Sequence, residues 1–162
     1  MSLTTKETLF RVIDLFDSLS VKWWLDGGWG VDVLYGSQTR DHRDIDINFD
    51  AAETDQVLAK LKDAGYIVET DWLPVRAELV SPALGYLDIH PFVIEGDIVK
   101  QANPEGSFWE FPEECFGTVV FEGRTIPCIS LEGQKLFHSG YEPREQDLHD
   151  VALLKEIESR QY

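Results

Sequence analysis

Two carboxylates, Asp44 and Asp46, stand two residues apart, and a third, Asp88, lies in Tyr86-Leu87-Asp88-Ile89-His90-Pro91. On a strand, residues two apart project from one face. Asp44 and Asp46 would then repel each other unless a cation lies between them. Asp88 alternates with Leu87 and Ile89, on the same side as His90. Three converging carboxylates can hold two divalent ions roughly 3.5–4 Å apart, clamping the attacking and leaving oxygens of an in-line displacement. Hard oxygen ligands favour Mg²⁺ over zinc. Upstream, Trp24-Leu25-Asp26-Gly27-Gly28-Trp29-Gly30 reads as an apolar strand ending in a Gly-Gly turn. Gly27 and Gly28 permit a close backbone approach to a ligand. The short helix expected after them, about Trp29 to Tyr35, would aim its amides and positive dipole end at a phosphate. A phosphate cradle beside metal-binding carboxylates implies nucleotide chemistry.

Other groups can serve the same reaction. Arg40, His42 and Arg43 directly precede the carboxylates and suit an anionic triphosphate, Arg as a bidentate donor. Arg43 equally suits local pairing with Asp41 and Asp44. His90 titrates near neutral pH and can take a proton from an attacking hydroxyl, or else hold a neighbouring carboxylate. Trp29, Trp72 and Trp109 can line a pocket, although large aromatics more often fill a core.

The elements that must position these residues follow from periodicity. Thr4-x-x-Glu7 has the form of a capping box, and Leu9, Phe10, Ile13, Phe16 and Leu19 recur at helical spacing, which predicts a helix over about Thr5 to Ser20. Strands are expected at Val21 to Leu25, Asp44 to Phe49, Tyr66 to Thr70, Val75 to Val80, Tyr86 to Ile94 and Ile98 to Gln101. Ala52 to Ala64 reads as an amphipathic helix closed by Gly65. Asn103 to Glu114 is aromatic and irregular, and fits a cover over a pocket. Val119 to Phe121 and Thr125 to Cys128 form a hairpin about Gly123. Ser130 caps a helix running to about Tyr141, carrying Lys135 and His138. Arg144 follows, and a last helix spans Gln146 to Ser159 with Asp147 and Asp150. Without a regular βαβ alternation, the fold class is α+β: a mixed sheet flanked by helices.

The 162 residues, 43% hydrophobic, fit one domain over 1–162, with a catalytic core to about 129 and a helical segment beyond. The net charge of −16 argues against nucleic acid, whose binding needs a basic surface. It is compatible with a cationic small molecule. Cys115 and Cys128 imply neither metal nor disulfide framework. No apolar run reaches membrane-spanning length and no signal core is visible, so no membrane partner is expected and the cytoplasm is the expected location. A homodimer is left open.

Two stretches, WLDGGWGVDVLYG (Trp24–Gly36) and TRDHRDIDINFD (Thr39–Asp50), resemble the antibiotic nucleotidyltransferases of the polymerase-β-like superfamily. GYLDIHP, QANPEG, IPCIS and LFHSGY are similar, more narrowly, to the small lincosamide nucleotidyltransferases. The first two motifs are shared with aminoglycoside 2″-nucleotidyltransferases and therefore bear on chemistry more than on substrate. The superfamily usually has Ser after the two glycines where this chain has Trp29. The resemblance implies the polymerase-β-like fold, transfer of AMP from ATP to a drug hydroxyl, Asp44, Asp46 and Asp88 as Mg²⁺ ligands, Asp88 also as base, and Lys135 at the triphosphate. An aminoglycoside enzyme is the first alternative. A non-catalytic nucleotide-binding antitoxin or sensor is the second, against which three intact carboxylates count.

Overall fold

The computed structural model describes residues 3–139 and 143–160. In chain order the strands are β1 Trp23–Asp26, β2 Asp44–Asp50, β3 Ile67–Trp72, β4 Arg76–Ser81, β5 Gly85–Glu95, β6 Ile98–Ala102, β7 Phe108–Pro112, β8 Phe116–Phe121 and β9 Arg124–Ile129. The helices are α1 Lys6–Asp17, α2 Gly27–Tyr35, α3 Thr54–Asp63, α4 Leu131–Phe137 and α5 Glu145–Arg160. The strands form one nine-stranded mixed sheet with the path β3-β4-β5-β2-β1-β9-β8. The β6–β7 hairpin branches from the far end of β5. The α+β expectation therefore holds, with β2–β5 and β1–β9 the parallel pairs.

The two faces of the sheet differ because the central strands alternate. Ile45, Ile47, Leu87 and Ile89 are fully buried against Leu9, Val12, Ile13 and Phe16 of α1 and Val57 and Leu61 of α3. Each such side chain contributes about 1.5–3 kcal/mol on burial. A one-residue slip of β2 or β5 would instead put Asp44, Asp46, Asp88 and His90 into that layer, so the register is strongly specified. On the other side α2, α4 and α5 meet through Val31, Leu131, Leu153, Leu154 and Ile157. Beside them, Phe92, Phe111, Phe116 and Phe137 form an aromatic cluster, with ring centroids 4.6 Å apart for Phe111–Phe137 and 5.9 Å for Phe92–Phe116.

Four local expectations are corrected. The capping box of α1 is built from Thr5 and Thr8, while Thr4 donates through its amide and hydroxyl to the His42 carbonyl. A second hydroxyl serves the box as a Glu would. The two glycines do not precede the helix but form its first turn. Much of the stretch expected to be irregular is β7, paired with β6, followed by a 3₁₀ turn at Glu113–Cys115. Trp109 and Phe111 there stand two apart and so project from one face of the strand. The helix capped by Ser130 ends at Phe137, and Tyr141 lies outside the described residues.

Candidate functional site

Register gathers the carboxylates. Asp26 pairs with Asp46, Asp46 with Asp88, and Asp88 with Glu78, so four acidic side chains stand abreast across β1, β2, β5 and β4. In the next row Asn48 pairs with His90, and Asp44 lies one pleat behind Asp46. Asp46 Oδ1 is 3.3 Å from His90 Nε2. Arg76 Nη1 donates to Asp88 Oδ1 at 2.6 Å, and Arg43 Nη1 donates to Glu78 Oε2 at 3.0 Å and Asp44 Oδ2 at 3.2 Å. Asp26 caps α2 by accepting from the Gly27 amide at 2.7 Å, and also accepts from Asn48 Nδ2 at 3.0 Å and Gln134 Nε2 at 3.3 Å.

Glu78, Arg76 and Asp26 were not anticipated. The alternation of Arg76 and Glu78 with Ala77 and Leu79 was a usable signal, of the same kind as Asp-Ile-Asp. What β4 would pair with was not. Arg43 pairs with its neighbour Asp44, as one of its two readings supposed, and also with Glu78 on β4 in place of Asp41.

Among the described residues, two groups of potential ligand atoms come within 4.8 Å of one another: Asp46, Asp88 and His90, and Asp44, Glu78 and Asp88. Both are rich in oxygen, which fits a hard divalent cation. The electrostatics agree. Burial and the neighbouring Asp46 push the Asp88 carboxyl up to about 6. Burial and Asp88 raise Asp44, and burial raises Asp46 in spite of its bond to His90. Burial opposes charge on His90 as well, but the bond to Asp46 and the surrounding acids prevail and raise its pKa. Carboxylates that resist ionisation when alone are relieved by a cation.

That cost has a sign that can be measured. Asp88 titrates near 6 when folded against an ordinary 3.8. The metal-free protein therefore loses this contribution to stability as pH rises through about 6. A divalent cation held by these carboxylates would compete with the proton, so the stabilising effect of added Mg²⁺ is expected to be larger at pH 7.5 than at pH 5.5. Thermal-shift titrations at the two pH values check this, and an equal response at both would contradict a carboxylate site.

The glycines hold the other side of the site. Gly27 has φ +66°, a conformation that favours glycine. A Cβ there would overlap the Asp46 carboxylate, and one on Gly28 would overlap the Arg40 guanidinium and crowd His42 Nδ1. Gly28→Val is expected to weaken nucleotide binding about tenfold or more, because the added side chain displaces Arg40 and His42 and obstructs the approach. Unchanged ATP kinetics in the folded variant would place the phosphates elsewhere.

Arg40 and His42 are both fixed. Arg40 Nε and Nη2 donate to the two oxygens of Asp150 on α5 at 3.1 and 3.0 Å. His42 is 2% exposed, with Nε2 at 2.6 Å from Asp32 Oδ2 and its ring 4.5 Å from that of Trp29. Asp32 also accepts from the Thr39 hydroxyl and amide, and these bonds hold its pKa down against the effect of burial. The loop between α2 and β2 is thus tied to both helices.

Together these residues line a cleft of about 430 Å³, closed opposite the glycines by Phe137, His138 and the start of α5. The volume is that of an ordinary small-molecule site. Gly27, Gly28, Arg40, His42, Asp44, Asp46, Asp88 and His90 all reach it. Lys135 does not: it pairs with Glu158 at 2.9 Å on the outer side of α4 and α5, since α4 turns Phe137 and His138 inward instead. Nor does Trp29, which is fully buried and donates from Nε1 to Thr4.

The sequence profile of the aminoglycoside-2″-adenylyltransferases matches residues 8–154. A lincosamide resistance protein of Staphylococcus haemolyticus is 51% identical over 94% of this chain and 96% of its own. A 2″-aminoglycoside nucleotidyltransferase of Escherichia coli is 32% identical over 80% of this chain and 70% of its own. The lincomycin-bound crystal structure of the lincosamide antibiotic adenylyltransferase LnuA superposes with a TM-score of 0.90 at 50% identity, covering 96% of this chain and 99% of that one. The solution structure of ANT(2″)-Ia, at 18% identity and a TM-score of 0.73 over 94% of this chain and 86% of that one, shares the fold.

Proposed function

The chain belongs to the aminoglycoside-2″-adenylyltransferase family, and from that membership we propose that it transfers AMP from MgATP to a hydroxyl of a lincosamide. The observation that carries the substrate is the 51% likeness to a lincosamide resistance protein along nearly the whole of both chains. The aminoglycoside relative is less alike and matches over less of its own length.

The residues divide the work. Backbone amides at the start of α2 and the Arg40 guanidinium receive the phosphates. Asp44, Asp46 and Asp88 would hold two Mg²⁺ ions, which supply charge neutralisation on the phosphate oxygens. Asp88 accepts the proton of the acceptor hydroxyl, whose oxygen forms a bond to the α-phosphorus as the bond to the bridging α–β oxygen breaks and pyrophosphate leaves. His90 orients Asp46. Arg76 holds Asp88 in place. Because the reaction consumes ATP, the cytoplasm is its setting.

Parallel reactions with lincomycin, clindamycin, kanamycin and tobramycin decide the substrate by mass spectrometry. An AMP adduct is expected on the two lincosamides, with pyrophosphate released. Adducts on the aminoglycosides alone would favour the reading that the acidic surface, at −16, also suits.

A further inference from the structure

In-line displacement puts the incoming and leaving oxygens on opposite sides of the phosphorus. The glycine cradle stands where β1 meets α2, and outward from it come β2, then β5, then β4 and β6, then β3 and β7. With the phosphates in the cradle as proposed above, pyrophosphate would leave toward it and the acceptor would approach across β5, over the two outer hairpins. Both hairpins hang from one edge of β5: β4 along Gly85–Ile89 and β6 along Phe92–Glu95.

Each hairpin presents an exposed tryptophan on the face of the carboxylates. Trp72, 60% exposed, lies under the Arg76 guanidinium at 4.6 Å, and Arg76 reaches Asp88. Trp109, 48% exposed, is paired across β6 through Gln101 with Phe92, which packs against Phe137 of the cleft wall. A single exposed aromatic needs no explanation. Two on one face, Trp72 linked to Asp88 through Arg76 and Trp109 to Phe137 of the cleft wall through Gln101 and Phe92, form an apolar shelf beside the cleft, on the side from which the acceptor would approach.

We propose that Trp72 and Trp109 are the apolar contacts of the acceptor drug, with Arg76 and Gln101 as polar groups one strand inward of them. This rests on the lincosamide reading above. A lincosamide carries an alkyl chain and a sugar ring, both suited to aromatic faces, whereas a polyamine sugar would call for carboxylates there.

Calorimetric binding of lincomycin and clindamycin to the wild type, Trp72→Ala and Trp109→Ala tests the assignment, together with the KM values for drug and ATP. Each variant is expected to bind the drug about tenfold more weakly, in keeping with the loss of one aromatic contact, while its KM for ATP stays within about threefold. Val120→Ser, at the opposite edge of the sheet, is the control and should leave drug binding unchanged. Drug affinity retained in both tryptophan variants, alongside wild-type binding, overturns the shelf alone. Equal losses for ATP and drug overturn it as well, since they report a general defect. A wild type that adenylylates only aminoglycosides overturns the substrate reading and the shelf with it.

Discussion

Asp46→Asn is expected to lower AMP transfer by about three orders of magnitude or more, while the protein still folds. Asp46 is central to the acidic row, with Asp26 on one side and Asp88 on the other. Its carboxylate lies against Gly27, so on the proposed reading it would join the cation site to the phosphate cradle. Burial raises its pKa, and Asp44 and Asp26 add to that, which means the ionised form is costly in the absence of metal. A neutral isostere removes that cost, so in EDTA the variant should melt no lower than the wild type. It should also lose most of the Mg²⁺-induced rise in melting temperature. These readouts separate loss of a ligand from loss of fold. Turnover within tenfold of wild type in the folded variant would end the metal-site assignment.

Asp88→Asn should reduce kcat by about 10²–10⁴-fold, the usual weight of a general base. His90→Ala should cost much less, about tenfold, if the imidazole mainly holds Asp46. The separation follows from the hydrogen bonds. Asp88 is held by Arg76, whereas His90 Nε2 points at Asp46. Asp88 belongs to both donor groups, so its variant should show altered Mg²⁺ dependence as well as a lower rate. His90 belongs to one of them and reaches Asp46 through Nε2, so His90→Ala should shift the Mg²⁺ dependence less than Asp88→Asn does. Rate profiles over roughly pH 6–9, a range that spans the histidine and upper carboxylate values, compare the two. A larger loss for His90→Ala than for Asp88→Asn would transfer the role of base to the histidine.

The chemistry was legible in the amino-acid sequence because it depends on local spacing. Asp-Ile-Asp and Leu-Asp-Ile-His place polar groups on one face of a strand whatever the strand pairs with, and two adjacent glycines permit close approach in any fold. Isoleucine and leucine between the carboxylates also determined which face went to the core. What lay beyond local spacing was decided by the tertiary structure. Glu78 and Asp26 become neighbours of Asp46 and Asp88 only because β4, β5, β2 and β1 lie side by side in a single register, and no residue type announces its partner strand. Lys135 and His138 are three apart on the chain, yet one faces Glu158 and the other faces the cleft. Trp29 and Trp109 have the same composition and opposite fates, one sealed under His42 and the other exposed on the β7 edge. Side-chain chemistry sets what a residue can do, and packing across distant strands and helices sets which of those residues meet.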